Sequence, residues 1–244
     1  MEIISLLKSK NSDAYHTRPV TIGFLGDSVT NGCFEVPPAH TDNGIKGYDV
    51  VFDPENGYPA KVRRILTMLY PEAQINIINA GISGSGAPNG LERMDRDLLP
   101  YHPDLTVVCF GLNDCCYGEA GLQKYSDALI AIIKKLQETG SEVIVMTPQP
   151  ICTRVHTQLQ GDELRKLAHT LVELFESGVF DKYMQTARDA AKGCGVPLCD
   201  CYAKWKKLYE GGVDTTSLLS NYLNHPTRDM HWLFATSLVE AMFN

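Results

Sequence analysis

At 244 residues the chain is long enough to bury a large core without disulfides or a structural metal. Its 29 acidic residues outnumber its 22 basic ones, and the formal charge of -7 argues against phosphate backbones and anionic membranes as partners. No stretch approaches the roughly 20 apolar residues that cross a bilayer, and Met1–Lys8 lacks the pattern of a secretory leader. A cytoplasmic location is therefore expected, with the eight cysteines present as reduced thiols.

In chain order, the first strand signal is Val20–Leu25, ending at Gly26. An irregular stretch from Gly32 to Gly57, holding Tyr48, Phe52 and several prolines, follows and is too long for a simple turn; inserts of this length are often functional. Tyr58 to Tyr70 places Val62, Ile65, Leu66 and Leu69 at helical spacing. Ile75–Ile78 and Leu105–Phe110 are the second and third strand signals, and Gly121 to Thr139 is a second amphipathic helix. Val143–Met146 then gives a fourth strand, and Asp162 to about Ala191 gives two helices broken near Gly178. Val196–Cys199 is the last strand signal, and Asp229 to Phe243 is a closing helix.

Short apolar runs without alternation fit strands buried on both faces. Their alternation with helices predicts an α/β fold: a flavodoxin-like, doubly wound sandwich with a mainly parallel five-stranded sheet and helices on both faces. No linker or repeat interrupts it, so residues 1–244 are expected to form one domain, with residues 32–57 as an insert near the site.

Ligands of open α/β sheets bind beyond the carboxyl ends of the strands. Three polar segments fall there: Gly26-Asp27-Ser28-Val29-Thr30, Asn79-Ala80-Gly81-Ile82-Ser83-Gly84, and Gly111-Leu112-Asn113-Asp114. A serine hydroxyl needs a base to become a nucleophile, and the oxyanion it generates needs donors already aimed at it. Ser28 offers the hydroxyl, Gly84 a close-approaching N–H, and Asn113 an amide donor, while His225 and His231 are the late histidines. Each feature alone also fits a turn or a helix cap; their ordered combination at strand ends points to a site.

These segments resemble the signature blocks of SGNH (GDSL-like) hydrolases, lipases and acylhydrolases among them. Gly-Asp-Ser-Val-Thr resembles the first block, Asn-Ala-Gly-Ile-Ser-Gly the second, Gly-Leu-Asn-Asp the third and His225-Pro226 the last. The resemblance implies a carboxylic ester hydrolase working through an acyl-enzyme, with Ser28 as nucleophile, His225 as base, and Ser28, Gly84 and Asn113 forming the oxyanion hole. Asp27 and Asp114 are expected as supporting residues. No metal or organic cofactor is implied. The family usually carries an acid three residues before the histidine, where this chain has Tyr222. Asp214, Asn221, Asn224 or a backbone carbonyl is then left to orient His225, or a Ser–His dyad operates.

The expected substrate is a small ester, with short acyl, especially acetyl, groups on a carbohydrate. The alternatives are a lysophospholipase or acyl-thioesterase, and a non-catalytic carbohydrate-binding protein on the same fold. Ser83 is a weaker rival nucleophile, and Cys115 or Cys116 a weaker one still. Asp229 and His231, two residues apart, are expected to be structural because they would point to different faces of a helix.

Overall fold

The computed structural model describes residues 1–41 and 44–244, with the side chains of residues 40–46 undescribed. Five parallel strands form the sheet: β1 (Val20–Gly26), β2 (Ile75–Gly81), β3 (Leu105–Cys109), β4 (Glu142–Thr147) and β5 (Leu198–Asp200). Their spatial order is β2-β1-β3-β4-β5, the doubly wound order expected from the alternating elements. β1, β3 and β4 are buried along nearly their whole length, which explains their uninterrupted apolar sequences.

Nine helices surround this sheet among the described residues: α1 (Glu2–Ser12), α2 (Ser28–Asn31), α3 (Tyr58–Leu69), α4 (Ala87–Asp97), α5 (Leu122–Glu138), α6 (Asp162–Glu176), α7 (Val179–Cys194), α8 (Cys201–Glu210) and α9 (His231–Phe243). α1, α3 and α8 pack with α9 on one face, and α4, α5 and α7 pack together on the other. None is long and apolar enough to cross a membrane. α9 is apolar nearly all round and buries Phe234, Leu238 and Met242 beneath its neighbours, as such a helix must.

The predicted insert contains a two-stranded antiparallel hairpin, Pro38–Thr41 with Gly44–Tyr48; residues 42 and 43 of it lie outside the described residues. Below the hairpin the insert closes on itself. The Phe34 N–H donates to the Val51 carbonyl (2.9 Å), the Val51 N–H to the Glu35 carbonyl (2.9 Å), and the Asp53 N–H to the Gly32 carbonyl (2.8 Å).

Strand register positions the site. Gly26 lies opposite Gly81 on one side and Cys109 on the other. The chain therefore leaves three adjacent strands at one level, delivering Ser28, Gly84 and Asn113 to a common rim. Gly81 has no side chain because a Cβ there would lie 2.3 Å from the Asn31 nitrogen. That clearance lets the single turn of α2 rest against the end of β2.

Candidate active site

Asp27 caps α2 by accepting the Val29 N–H on Oδ1 (2.9 Å). Ser28 is thus the first residue of a helical turn, and among the described residues its own N–H donates to no protein acceptor. The same holds for the N–H of Gly84, whose φ of +76° is a left-handed conformation that glycine adopts without strain. Asn113 Nδ2 donates to the Ser85 carbonyl at 3.0 Å, which ties the third loop to the second and leaves one amide hydrogen over. Asp114 reinforces the tie, since its Oδ1 accepts the Ala87 N–H at 2.9 Å, at the first turn of α4.

His225 Nε2 lies 3.0 Å from Ser28 Oγ, and its Nδ1 lies 2.8 Å from the Phe34 carbonyl oxygen. A carbonyl can only accept, so Nδ1 carries the proton and Nε2 presents its lone pair to the serine hydroxyl. That is the tautomer a general base requires. Burial pushes His225 below the ordinary histidine range, with the Phe34 carbonyl and the nearby Glu35 carboxylate pulling the other way. Buried and neutral, the imidazole is ready to accept a proton at pH 7.

The acceptor of the Nδ1 proton is therefore main chain, and none of the side chains named from sequence holds the ring. Asp214 is ion-paired with Arg154 (Nη2–Oδ2 2.5 Å) and accepts from Ser217 Oγ at 2.6 Å. Asn221 holds the loop instead, its Oδ1 accepting the N–H groups of Leu223, Asn224 and His225 at 2.9–3.0 Å. Asn224 accepts from Asn221 Nδ2 through its side chain and from Gln149 Nε2 through its carbonyl. Tyr222, in the position of the usual acid, adopts φ +56° and turns away to stack on His156, with centroids 3.9 Å apart.

The Phe34 carbonyl is fixed by its surroundings. The Phe34 ring is fully buried, with the Arg228 guanidinium 4.3 Å above its centroid and His231 packed 5.0 Å away. Arg228 also binds Glu35 (2.6 Å) and Asp53 (2.7 Å), clamping both arms of the insert. His231 has a separate task. Its Nδ1 accepts the Tyr58 N–H at 2.9 Å, and burial lowers its pKa to about 3, so it stays neutral and braces α3.

Two carboxyls are buried next to Ser28 and Asn113 in the chain. Burial raises Asp27 to about 7 and Asp114 to about 6, and in each case Oδ2 has no partner among the described residues. Cys115 is buried and donates to the Leu112 carbonyl, and Cys116 is exposed. Neither thiol hydrogen-bonds to a histidine among the described residues. No cluster of three or more His, Cys, Asp or Glu side chains suited to a metal occurs among the described residues.

A cavity of about 480 Å³ opens beside the oxyanion candidates, lined by Gly84, Asn113, Pro88, Tyr117, Ala120 and Lys124 among others. Neither Ser28 nor His225 lines it.

Comparison with known proteins gives a consistent result. Residues 24–233 match the GDSL-like Lipase/Acylhydrolase family. An acetylxylan esterase from Geobacillus stearothermophilus is 27% identical over 134 residues, covering 51% of this chain and 58% of the esterase. The matched part thus spans somewhat more than half of that relative. An uncharacterised lipoprotein of Bacillus subtilis (strain 168) is 25% identical over 80% of this chain and 84% of its own length. Among solved structures, the acetylxylan esterase from Geobacillus stearothermophilus superposes with a TM-score of 0.64 at 20% identity, covering 91% of this chain and 94% of that one. A two-domain esterase active on acetylated mannans gives a TM-score of 0.66 at 19% identity, covering 98% of this chain and 52% of that one. At these identities the structural likenesses speak for the fold.

Proposed function

Because the chain belongs to the GDSL-like lipase/acylhydrolase family, we propose that it is a serine esterase that removes short acyl groups, acetyl above all, from a small or carbohydrate substrate. The observation that carries this reading is the aligned relay from Ser28 Oγ through the His225 imidazole to the Phe34 carbonyl. Ser28 Oγ attacks the ester carbonyl carbon as its proton passes to His225 Nε2. The resulting oxyanion meets the N–H groups of Ser28 and Gly84 and the free amide hydrogen of Asn113. His225 then gives its proton to the departing alkoxide, leaving an acyl-Ser28 ester. Water, deprotonated by the same Nε2, hydrolyses that ester and restores the serine.

Proton delivery fixes how the substrate lies. The alcohol oxygen must approach His225 Nε2, so the leaving group extends toward the insert. The acyl group points the opposite way, where the cavity beside Gly84 and Asn113 receives it. A methyl group is about the size of a water, whose share of liquid volume is about 30 Å³. The cavity thus has room for acyl chains beyond acetyl. Residues 1–244 act in this reading as one catalytic domain, with the insert supplying the acceptor for His225. A cytoplasmic setting, where thiols stay reduced, belongs to this reading and is supported by the eight cysteines.

Steady-state hydrolysis of p-nitrophenyl acetate, p-nitrophenyl butyrate and acetylated xylo-oligosaccharides tests the proposal. Turnover of all three, abolished by a fluorophosphonate that labels Ser28, is expected. Labelling without turnover of any ester, or turnover that survives labelling, overturns it.

A further inference from the structure

A cavity of about 660 Å³ lies away from Ser28 and His225. It runs between the turn at Pro54–Asn56, one face of α3 and the start of α9, with Arg63, Arg64, Met68 and Trp232 in its walls. Its volume falls in the range of small-molecule sites. Ser28, Gly84, Asn113 and His225 are all absent from its lining.

Its charge runs against that of the protein as a whole. Arg63 and Arg64 are exposed, and neither forms an ion pair among the described residues. Beside them Lys61 is only 2% exposed and stands outside the lining of the groove. It rests 4.6 Å from the centroid of the Trp232 ring. Among the described residues, Glu55 is the one carboxylate lining the groove. Asp53 is occupied by Arg228 and Asn56, and the exposed Asp229 lies close enough to Lys61 to favour its charged form. Two cations, Arg63 and Arg64, thus line one groove of a chain whose formal charge is -7.

Trp232 supplies the second half of the recognition chemistry. It is 37% exposed and lines the groove. An indole stacks on the apolar C–H face of a pyranose, while a guanidinium pairs with a carboxylate through two parallel N–H donors. A hexuronate ring carries both features. A duplex nucleic acid would instead need a broad basic surface making many phosphate contacts, which two arginines in a concave groove do not provide.

We propose that this groove is an ancillary binding site for a uronate-bearing oligosaccharide, seated on Trp232 with its carboxylates on Arg63 and Arg64. The biological sense of the site rests on the carbohydrate-esterase reading, but its binding chemistry is independent of catalysis.

Isothermal titration of the full chain with an unacetylated oligogalacturonide, and with neutral xylohexaose, tests the proposal. Saturable binding of the oligogalacturonide is expected, at least tenfold tighter than that of xylohexaose and weakened by added salt. Arg63→Ala/Arg64→Ala should weaken it at least tenfold and Trp232→Ala at least fivefold, with thermal melts confirming folded protein. Hydrolysis of p-nitrophenyl acetate by the double variant should stay within twofold of the parent. Absence of saturable binding, equal affinity for the neutral sugar, or binding unchanged in the double variant overturns the proposal. So does equal competition by polyglutamate or a DNA oligomer, which would mark an unselective cationic patch. Failure of the esterase reading appears separately, as loss of ester turnover in a protein that still binds the oligogalacturonide.

Discussion

Ser28, Gly84 and Asn113 stand just past three adjacent strands whose register ends together at Gly26, Gly81 and Cys109, whereas His225 stands on an irregular segment held by Asn221 and by the main chain of Phe34. On the first side the hydrogen-bond ladder of the sheet sets positions. On the second, a few side-chain acceptors and one clamped loop do so. The nucleophile half should therefore tolerate local substitutions that the base half does not, and the two halves should fail in different ways.

The largest expected effect belongs to the proposed nucleophile: Ser28→Ala should lower kcat by about 10⁴-fold or more, with a thermal melt close to the parent. A melt that collapses would mean that the hydroxyl is structural. Asn113→Ala should lower kcat by about 10²–10³-fold with little change in KM, as for loss of one oxyanion donor. A change confined to KM would place Asn113 outside the oxyanion site. Asn221→Ala removes the acceptor of three N–H groups. Each orphaned buried group costs about 1–3 kcal/mol, and misplacing the base can cost about 10²-fold in rate. Both stability and kcat should fall, unlike in Ser28→Ala. Unchanged stability would show that the loop is held by other means.

The pH profile sharpens the contrast further. His225 must be neutral to accept the serine proton, and burial holds it below the ordinary value of about 6.5. kcat/KM for p-nitrophenyl acetate should therefore rise with pH along a single acid limb whose midpoint lies below about 6.5, then level off before neutrality. A midpoint above 7 would contradict the buried, carbonyl-bound imidazole. The smallest effect is expected for Asp214→Asn, because that carboxylate serves a half-exposed ion pair with Arg154, a type worth about 0.2–1 kcal/mol. kcat should stay within twofold of the parent, and a hundredfold loss would return Asp214 to the relay.

Much of the fold was legible because the parallel strands carry short apolar runs, uninterrupted where the strand is buried on both faces. The runs around Val20, Ile75, Leu105, Val143 and Leu198 all lie in the sheet. The last strand is shifted, covering Leu198–Asp200 rather than 196–199. Pro197 has no N–H to give a ladder, although its carbonyl still accepts from Val145 at 3.0 Å. α4 left little apolar trace, since it packs through Gly90 against the Phe110 ring and through Arg93, whose guanidinium caps the carbonyls of Gly26 and Ala80. On the site side, strand ends marked where Ser28, Gly84 and Asn113 emerge, because chemistry-bearing residue types stood there. The acceptor for His225 had no such mark. A carbonyl belongs to every residue, so nothing distinguishes Phe34 until the insert has folded.

That main-chain acceptor has a genetic consequence. A carboxylate in the same role can be deleted by changing one codon, whereas the Phe34 carbonyl survives every substitution at its own position. Mutations that misalign the base must act through its supports, by unclamping the insert at Arg228, Glu35 or Asp53 or by releasing the His225 loop at Asn221. Random mutagenesis screened for lost activity should therefore return variants scattered along the insert and its clamp, with none that simply removes the orienting group.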